Sequence, residues 1–327
     1  MAYISKLTLG VLRLHDKIVK DTKYFDMEIS VIILSYNTSQ ITNECLVLLK
    51  KAVKEFKQKL KREVEVIVLD NASTDGSAEM IAKKHPWVKL MRSDINLGFA
   101  KGNNYAMRRA SGNYFLLLNS DAYVDKNTLI KARKYMSENE CDVLACRLNF
   151  KNGNLQPSAG SLPNPLNITT WMLGIANLPL IRYLVPPVHA NYKGYFAKDR
   201  KIGWAMGAFM FLKKEVYTKT KGFDENFFMY TEEVEWYKRI HKHGFKVVYT
   251  PRFSIVHLDK SSSGGDNTKA IILEKTGLIY YANKHFPNCK SFIKIIVYIG
   301  SLWRMIVFLL LGKKNLFLAH KSVLQKI

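Results

Sequence analysis

The sequence is poor in cysteine and in acidic residues. Its 327 residues include four cysteines, too few for a disulfide framework and not spaced as metal ligands, which predicts a reducing compartment. Only 27 Asp and Glu oppose 50 Lys and Arg, so the formal net charge is +23. This shortage of negative charge predicts a polyanionic partner: nucleic acid, an anionic membrane face or a phosphate-bearing substrate.

The chain also lacks the signatures of several nucleotide-binding and nucleic-acid-binding classes. No G-x-x-x-x-G-K-[ST] pattern occurs, which argues against a P-loop kinase or ATPase. Without a zinc spacing, an RNP-like aromatic motif or a basic recognition helix, a nucleic-acid-binding protein is only an alternative. A nucleotidyltransferase, the other alternative, needs a Gly-rich basic loop after the first strand, where this chain has Ser35-Tyr36-Asn37-Thr38.

The C-terminal 57 residues, from Ile271 to Ile327, carry a net charge of +8. They include the run Ile295–Leu311, which is apolar except for Gly300, Ser301 and Arg304. A membrane span needs about 20 apolar residues and tolerates a central arginine poorly, so a clean span is not expected. The flanking lysines favour a helix that lies in the lipid interface. A helix buried in the protein core is the alternative.

Residues 1–26 are predicted to form a basic amphipathic segment. Apolar residues recur there at steps of three and four, the period of one helix face. They are Ile4, Leu7, Val11, Leu14 and Ile18. A small-residue cleavage site and a long apolar core are missing, so a signal peptide is not expected. A membrane helix, a partner helix and a packed extension all fit the pattern.

Between these two regions, short apolar runs alternate with amphipathic stretches, which predicts βαβ units and a largely parallel sheet. In such sheets ligands bind at the carboxyl ends of the strands. The predicted strands are Ile29–Leu34, Val64–Leu69, Val88–Met91 and Tyr114–Leu118, and the predicted helices are Gln40–Leu60, Gly76–His85 and Ala100–Ala110.

Polar residues follow the first three strands. Tyr36 offers a ring on which a base can stack, and Asp70 can accept hydrogen bonds from a ribose or a base imide. Capping of the next helix is the alternative role for Ser73, Thr74 or Asp75. After the third strand, the glycines of Asn96–Asn104 allow a phosphate to approach the backbone at a helix start.

The fourth strand ends in Asn119-Ser120-Asp121. Adjacent oxygen ligands at a strand end suit Mg²⁺ or Mn²⁺ together with substrate phosphate oxygens, although Asn and Asp also begin turns. Farther along, Thr231 is expected to cap a helix whose first turn contains Glu232 and Glu233. The aromatic block before these acids predicts a raised pKa, which suits a general base.

These motifs, in this order, resemble family 2 inverting glycosyltransferases, and most closely the rhamnosyltransferase-like branch. The resemblance covers about residues 27–263 and implies a GT-A fold: an α/β, Rossmann-type, mixed but mainly parallel sheet flanked by helices, here with a helical C-terminal tail. It implies a metal site at Asp121, with His257 as a further ligand, and Asn119 where relatives often have aspartate. Glu233 takes the place of the catalytic base, and Glu232 is the alternative.

The resemblance also implies contacts to the two substrates. Positions for the nucleotide are Ser35, Tyr36, Asn37, Asp70, Asn71, Asn96, Gly98, Lys101, Asn104, Asn119 and Ser120. Positions in the cleft between the donor and the acceptor are Trp204, Gly207, Ala208 and Tyr230.

We therefore expect a metal-dependent glycosyltransferase on the cytoplasmic face of the cell membrane. Its donor would be a dTDP- or UDP-linked sugar such as rhamnose. Its acceptor would be a saccharide, plausibly carried on a polyprenyl pyrophosphate, in cell-envelope polysaccharide synthesis. The expected organisation is an N-terminal segment (1–26), a catalytic domain (27–268, divided at residue 125 into nucleotide and acceptor halves) and a membrane-associating region (269–327). The partners would include an anionic membrane surface but no nucleic acid.

Overall fold

The computed structural model describes residues 27–258 and 267–327. The prediction for residues 1–26 lies outside these ranges. The strands are β1 (Met27–Ser35), β2 (Glu63–Asn71), β3 (Lys89–Ser93), β4 (Tyr114–Leu118), β5 (Ala122–Tyr123), β6 (Val143–Asn149), β7 (Leu155–Gln156), β8 (Ala159–Gly160), β9 (Arg200–Lys201), β10 (Trp204–Ala205), β11 (Phe209–Lys213) and β12 (Val247–His257).

Helices connect and cover these strands. They are α1 (Ser39–Leu60), α2 (Ser77–Lys84), α3 (Gly98–Met107), α4 (Thr128–Asn139), α5 (Pro165–Met172), α6 (Pro179–Leu184), α7 (Lys214–Thr220), α8 (Glu232–Lys242), α9 (Asn267–His285), α10 (Lys290–Leu310) and α11 (Lys314–Lys326). Short 3₁₀ turns occupy Lys193–Phe196 and Pro287–Cys289.

The main sheet has the strand order β3-β2-β1-β4-β11-β6-β12-β5. Its first four strands are parallel, and β11 enters antiparallel between β4 and β6. β7 extends the sheet beside β6 and β9 beside β12, while β8 and β10 form a separate pair. The prediction of an α/β mixed sheet is confirmed, and the seven predicted elements are present with ends displaced by up to three residues.

Both faces of the sheet are buried, which explains the continuous apolar runs of its central strands. Along β1, Ile29, Val31 and Ile33 lie in one apolar cluster, with residues of α1 and α4, and Ile32 lies in the other. Because side chains alternate along a strand, one strand supplies both clusters. The parallel strands therefore sit between two helical layers, and their carboxyl ends meet at one edge.

The C-terminal helices pack on the sheet domain. Leu278, Tyr281 and Ala282 of α9 are buried in the main apolar cluster. Helix α10 crosses α5 closely at Gly300, where a Cβ would lie 2.7 Å from the Met172 side chain. The Arg304 guanidinium donates to the backbone carbonyls of Trp171 and Met172. The central arginine of the apolar run is thus hydrogen-bonded to backbone carbonyls of the protein.

The opposite face of α10 is apolar and exposed. Within the described ranges, one helical segment, Pro287–Leu310, is long and apolar enough to cross a bilayer, with a mean hydropathy of 2.0. Its exposed apolar residues are Phe292, Ile295, Tyr298, Ile299, Leu302, Trp303, Ile306, Leu309 and Leu310. Helix α10 is therefore half packed on protein, and the interfacial interpretation stays a prediction.

A buried carboxylate joins α8 to α9. The Glu235 side chain is fully buried and contacts Arg239, Lys284 and His285. Burial alone would raise the pKa of Glu235, but hydrogen bonds from His285, Arg239 and Lys284 lower it to about 2. Because the folded pKa is below the unfolded value, this group stabilises the fold above about pH 4.5, and the contribution is lost as the pH falls towards 2.

We expect Glu235→Gln to flatten the acid side of the stability profile. The wild-type free energy of unfolding should fall between about pH 4.5 and 2, and in the variant this fall should be smaller by about 3 kcal/mol. Denaturant titrations at a series of pH values measure it. Glu215→Gln, at an exposed glutamate paired with Lys219, is the control and should leave the profile unchanged. Equal slopes for wild type and Glu235→Gln would contradict the role of this carboxylate.

Candidate active site

A cavity of about 520 Å³ opens at the carboxyl edge of the parallel strands, within the size range of small-molecule sites. Its lining includes Tyr36 and Asn71, which follow β1 and end β2. It also includes Asp121, which follows β4, Glu233 in the first turn of α8, and Leu273 of α9. Segments distant in sequence thus share one concave surface.

The loops after β1 and β2 are fixed to each other by side-chain hydrogen bonds. The Thr74 amide donates to Asn37 Oδ1 at 2.8 Å, and the Asn37 amide donates to Ser73 Oγ. The Ser73 amide in turn donates to one oxygen of Asp70. The other oxygen, Oδ1, is buried without a hydrogen-bond partner among the described residues. Asp70 therefore keeps an unused acceptor beside Tyr36.

Asp75 has the helix-capping role, which the sequence left open as an alternative to ligand binding. Its Oδ1 accepts the amide and the hydroxyl of Ser77, the first residue of α2, and its Oδ2 accepts the Ser39 amide. It thereby ties the starts of α1 and α2 together.

The Asn96–Asn104 segment is positioned by protein contacts. Asn71 donates to Asn96, and Gly98 has φ +74°, where a Cβ would lie 2.5 Å from the Phe228 carbonyl. The glycine therefore allows close approach of the Phe228 backbone, which accepts the Phe99 amide. Asn104 is buried and binds the Phe223 backbone through both ends of its amide. It positions the loop that leads to α8.

Asp121 and His257 form a polar pair in the cavity lining. His257 Nε2 lies 3.3 Å from Asp121 Oδ1 and 3.4 Å from the Asn119 amide nitrogen. On the other side of the ring, Nδ1 lies 3.0 Å from Gln156 Oε1. An amide oxygen accepts only, so Nδ1 donates to Gln156 and Nε2 faces Asp121.

This pair fits a divalent cation that keeps most of its coordination for substrate and water. Among the residues described, no cluster of three or more His, Cys, Asp or Glu side chains could hold a metal. Mg²⁺ and Mn²⁺ sites commonly use one or two protein ligands plus phosphate oxygens. Asp121 Oδ1 and His257 Nε2 are the two protein atoms that could serve as such ligands.

Glu232 and Glu233 begin α8, as predicted, but the cap differs from the expectation. Thr231 has φ +73° and makes no side-chain bond to the helix start. Its hydroxyl donates to the Glu274 carbonyl of α9. The helix start is therefore tied to α9: Thr231 occupies the N-cap position, but its side chain does not cap the helix.

The two glutamates differ in environment. Glu233 lines the cavity, and its Oε1 accepts the Gly207 amide at 3.2 Å. Burial raises its pKa, which the Gly207 amide and the His189 charge partly oppose. The pKa of Glu232 is raised more strongly by burial and by the Glu233 charge, and its Oε2 has no partner among the described residues. Since the Gly207 amide favours the ionised form of Glu233, that residue is the better placed of the two to accept a proton.

The structure brings most of the predicted site residues together. Those lining the cavity are Tyr36, Asn71, Asn96, Gly98, Asn119, Ser120, Asp121, Trp204, Tyr230, Glu232, Glu233 and His257. Ser35, Asn37, Asp70, Asn104, Gly207 and Ala208 lie behind this lining or support its loops, and Lys101 is exposed on α3. The roles assigned to these residues stay predictions.

Sequence reasoning missed four cavity or supporting residues. Trp171 and His189 face the cavity from the segment between β8 and β10, and Glu274 faces it from α9. Gln156 orients His257 from behind. These residues occur outside recognisable motifs.

Comparison with known proteins gives a consistent result. The sequence model described as "Glycosyl transferase family 2" matches residues 30–220, more than half of the chain. An N-acetylglucosaminyl-diphospho-decaprenol L-rhamnosyltransferase of Mycobacterium tuberculosis is 22% identical over 68% of this chain and 76% of its own. Rhamnosyltransferase WbbL of Escherichia coli is 25% identical over 61% of this chain and 75% of its own.

Solved structures share the fold. The mannosyltransferase PcManGT from Pyrobaculum calidifontis, in complex with GDP-Man and Mn²⁺, has a TM-score of 0.54 at 16% identity, covering 98% of this chain and 84% of that chain. Residues 1–349 of Staphylococcus aureus TarS in complex with UDP-GlcNAc give a TM-score of 0.50 at 17% identity, covering 91% of each chain. At these identities the likeness establishes a glycosyltransferase fold.

Proposed function

The chain belongs to glycosyl transferase family 2, and from this premise we propose that it moves a hexose, rhamnose above all, from a nucleoside diphosphate to a hydroxyl of a saccharide acceptor. One observation carries the proposal. Glu233, which can accept a proton, faces the same cavity as Tyr36 and Asp121, where the donor would lie. The M. tuberculosis relative, named for a decaprenol-linked acceptor, supports a lipid-linked saccharide in cell-envelope synthesis.

The donor's base would lie against Tyr36. The unpartnered Asp70 Oδ1 suits the N–H of a uracil or thymine imide or a ribose hydroxyl, which favours dTDP- and UDP-linked sugars. Asp121 and His257 would hold Mg²⁺ or Mn²⁺ at the diphosphate. When bound, such an ion neutralises the charge of the leaving group.

The reaction is a single displacement in which Glu233 accepts the proton of the acceptor hydroxyl. The new bond joins the hydroxyl oxygen to C1 of the sugar as the bond from C1 to the diphosphate oxygen breaks. Attack from the opposite face inverts the anomeric centre. The Gly207 amide fixes the orientation of Glu233.

The C-terminal region would hold the enzyme against the cytoplasmic membrane face. The exposed face of α10 is apolar, and the chain from Ile271 onward carries a net charge of +8. This combination suits the boundary between anionic headgroups and acyl chains. The inward direction of Arg304 supports the interfacial arrangement, because its charge is directed at α5.

We expect Glu233→Gln to lower kcat by about 10²–10⁴-fold, the usual contribution of a general base. Glu232→Gln, the matched variant, should retain most activity because the Gly207 amide orients Glu233 and not Glu232. The acidic limb of the wild-type pH–rate profile should lie above pH 4.5, the ordinary value for glutamate, because Glu233 must be deprotonated. The opposite order of the two variants would make Glu232 the base.

A donor panel tests the function itself. Purified enzyme is incubated with dTDP-rhamnose, UDP-N-acetylglucosamine, UDP-glucose or GDP-mannose, with Mg²⁺ or Mn²⁺ and farnesyl-diphosphate-linked N-acetylglucosamine. We expect release of nucleoside diphosphate with a dTDP- or UDP-linked sugar, abolished by Asp121→Ala. His257→Ala should raise the metal concentration needed for half-maximal rate. Absence of release with every donor would contradict the proposed function, and full activity in chelator would contradict the metal site.

Vesicle sedimentation tests the membrane contact. Leu310→Ser/Leu311→Ser removes two exposed leucines and should weaken binding to phosphatidylcholine–phosphatidylglycerol vesicles by at least about tenfold. Val47→Ser/Leu60→Ser, at similarly exposed positions of α1, is the control. Wild-type binding should also fall when phosphatidylglycerol is omitted. Equal binding of both double variants would refute this contact surface.

A further inference from the structure

Part of the cavity lining, here called the chamber, is formed by residues that the donor-binding motifs do not account for. They belong to α5, to the segment that carries His189 and to the first turns of α9. Tyr36, Asp121 and Glu233 line the same cavity. A second substrate must reach Glu233, the proposed base, so the chemistry of this chamber bears on the acceptor. This inference rests on the proposed function.

Aromatic rings form one wall of the chamber. The His189 ring lies 4.6 Å from the Trp171 ring and 5.0 Å from the Trp204 ring, measured between centroids. All three line the cavity, and the side chain of His189 is 38% exposed. A surface of this kind offers flat apolar faces with a polar ring edge. It matches a pyranose, which has C–H groups on its faces and hydroxyls at its rim.

The segment that carries His189 is held rigidly. The Trp204 indole donates to the Val188 carbonyl at 2.8 Å, and the Ala190 amide donates to the Ala159 carbonyl. A Cβ on Gly160 would lie 1.7 Å from the Val188 carbonyl, so β8 must have glycine there. The aromatic wall is therefore formed before any ligand arrives, which lowers the entropic cost of binding.

A carboxylate faces the rings. Glu274 lines the cavity with 29% of its side chain exposed, 3.3 Å from His189 Nε2 and 2.8 Å from the Lys275 ammonium. Burial alone would raise the pKa of Glu274, but Lys275 and His189 hold it well below its ordinary value. An ionised carboxylate with an exposed edge is a strong acceptor for sugar hydroxyls.

The C-terminal helices support this wall from behind. Buried Lys275 lies 3.5 Å from the centre of the Trp171 ring, a cation–π contact. Arg304 of α10 binds the carbonyl of the same tryptophan. Lys275 neutralises Glu274 while fixing Trp171, and Arg304 fixes the end of α5.

We propose that Trp171, His189 and Glu274 form the subsite for the acceptor sugar, with the sugar packed against the aromatic wall and its hydroxyls bonded to Glu274. A sugar held there can present a hydroxyl to Glu233, because that residue lines the same cavity. The expected ligand is an uncharged pyranose, with or without an N-acetyl group.

The test separates acceptor binding from donor chemistry. With the best donor and the farnesyl-diphosphate-linked N-acetylglucosamine acceptor, His189→Ala and Trp171→Ala should raise the acceptor KM at least about tenfold. The donor KM should stay at the wild-type value in both variants. The slow hydrolysis of donor by water should stay at the wild-type value in Trp171→Ala, whereas His189→Ala also removes a charge that lowers the pKa of Glu233. Trp171→Phe, which keeps an aromatic face, should have the smaller effect. Glu274→Gln should also raise the acceptor KM.

His85→Ala is the matched control, because His85 also packs edge-on against a tryptophan, Trp87, but lies outside the cavity lining. Because Glu274 also neutralises buried Lys275, the test rests on the His189 and Trp171 variants, which leave both charges of that ion pair in place. An unchanged acceptor KM in them, or an equal loss of donor hydrolysis in Trp171→Ala, would overturn the subsite. Failure of wild-type enzyme with every donor would instead refute the proposed function.

Discussion

The pairing of β4 with β11 is the contact on which the arrangement of the site depends. β4 ends at Leu118, opposite Phe209, and the Asn119 amide continues the ladder to the Ala208 carbonyl. One residue before Ala208, the Gly207 amide donates to Oε1 of Glu233. Three consecutive backbone positions thus join the end of β4, which leads to Asp121, to the start of α8. Because backbone bonds set these distances, the donor side and the base are positioned relative to each other by the sheet itself.

The first four strands and their helices could be predicted because their signals are local. A buried parallel strand such as Val64–Leu69 appears as an unbroken apolar run, and the polar residue that follows marks an edge. Tyr36, Asn71 and Asp121 follow from this rule together with the parallel topology. The family resemblance added the roles of Glu233 and His257, which spacing alone could not supply.

The rest depends on contacts between segments distant in the chain. The sequence predicts that Gly98 allows a phosphate to approach the backbone. The group that approaches it is instead the Phe228 backbone, 130 positions later in the chain. Thr231 reads as a helix cap, yet its hydroxyl is bound to the Glu274 carbonyl. Trp171, His189 and Glu274 have no motif, and they meet only because α5 and α9 pack on the same face. Local sequence patterns do not encode such long-range contacts, since a residue that caps a helix and a residue that packs against another segment can be of the same type.

The basic residues of the C-terminal region fall into two groups, which the sequence alone could not distinguish. Lys275 and Arg304 belong to the basic tail by composition, but both contact Trp171 within the protein. Their charges therefore do not contribute to attraction towards lipid at the surface. The same helix, α10, presents an apolar face outward and holds the acceptor wall on its inner side. Removing it would disturb the wall of the chamber as well as any membrane contact. A membrane that binds the outer face would thus lie against the element that supports the acceptor subsite, which would favour an acceptor arriving from the lipid phase over one arriving from solution.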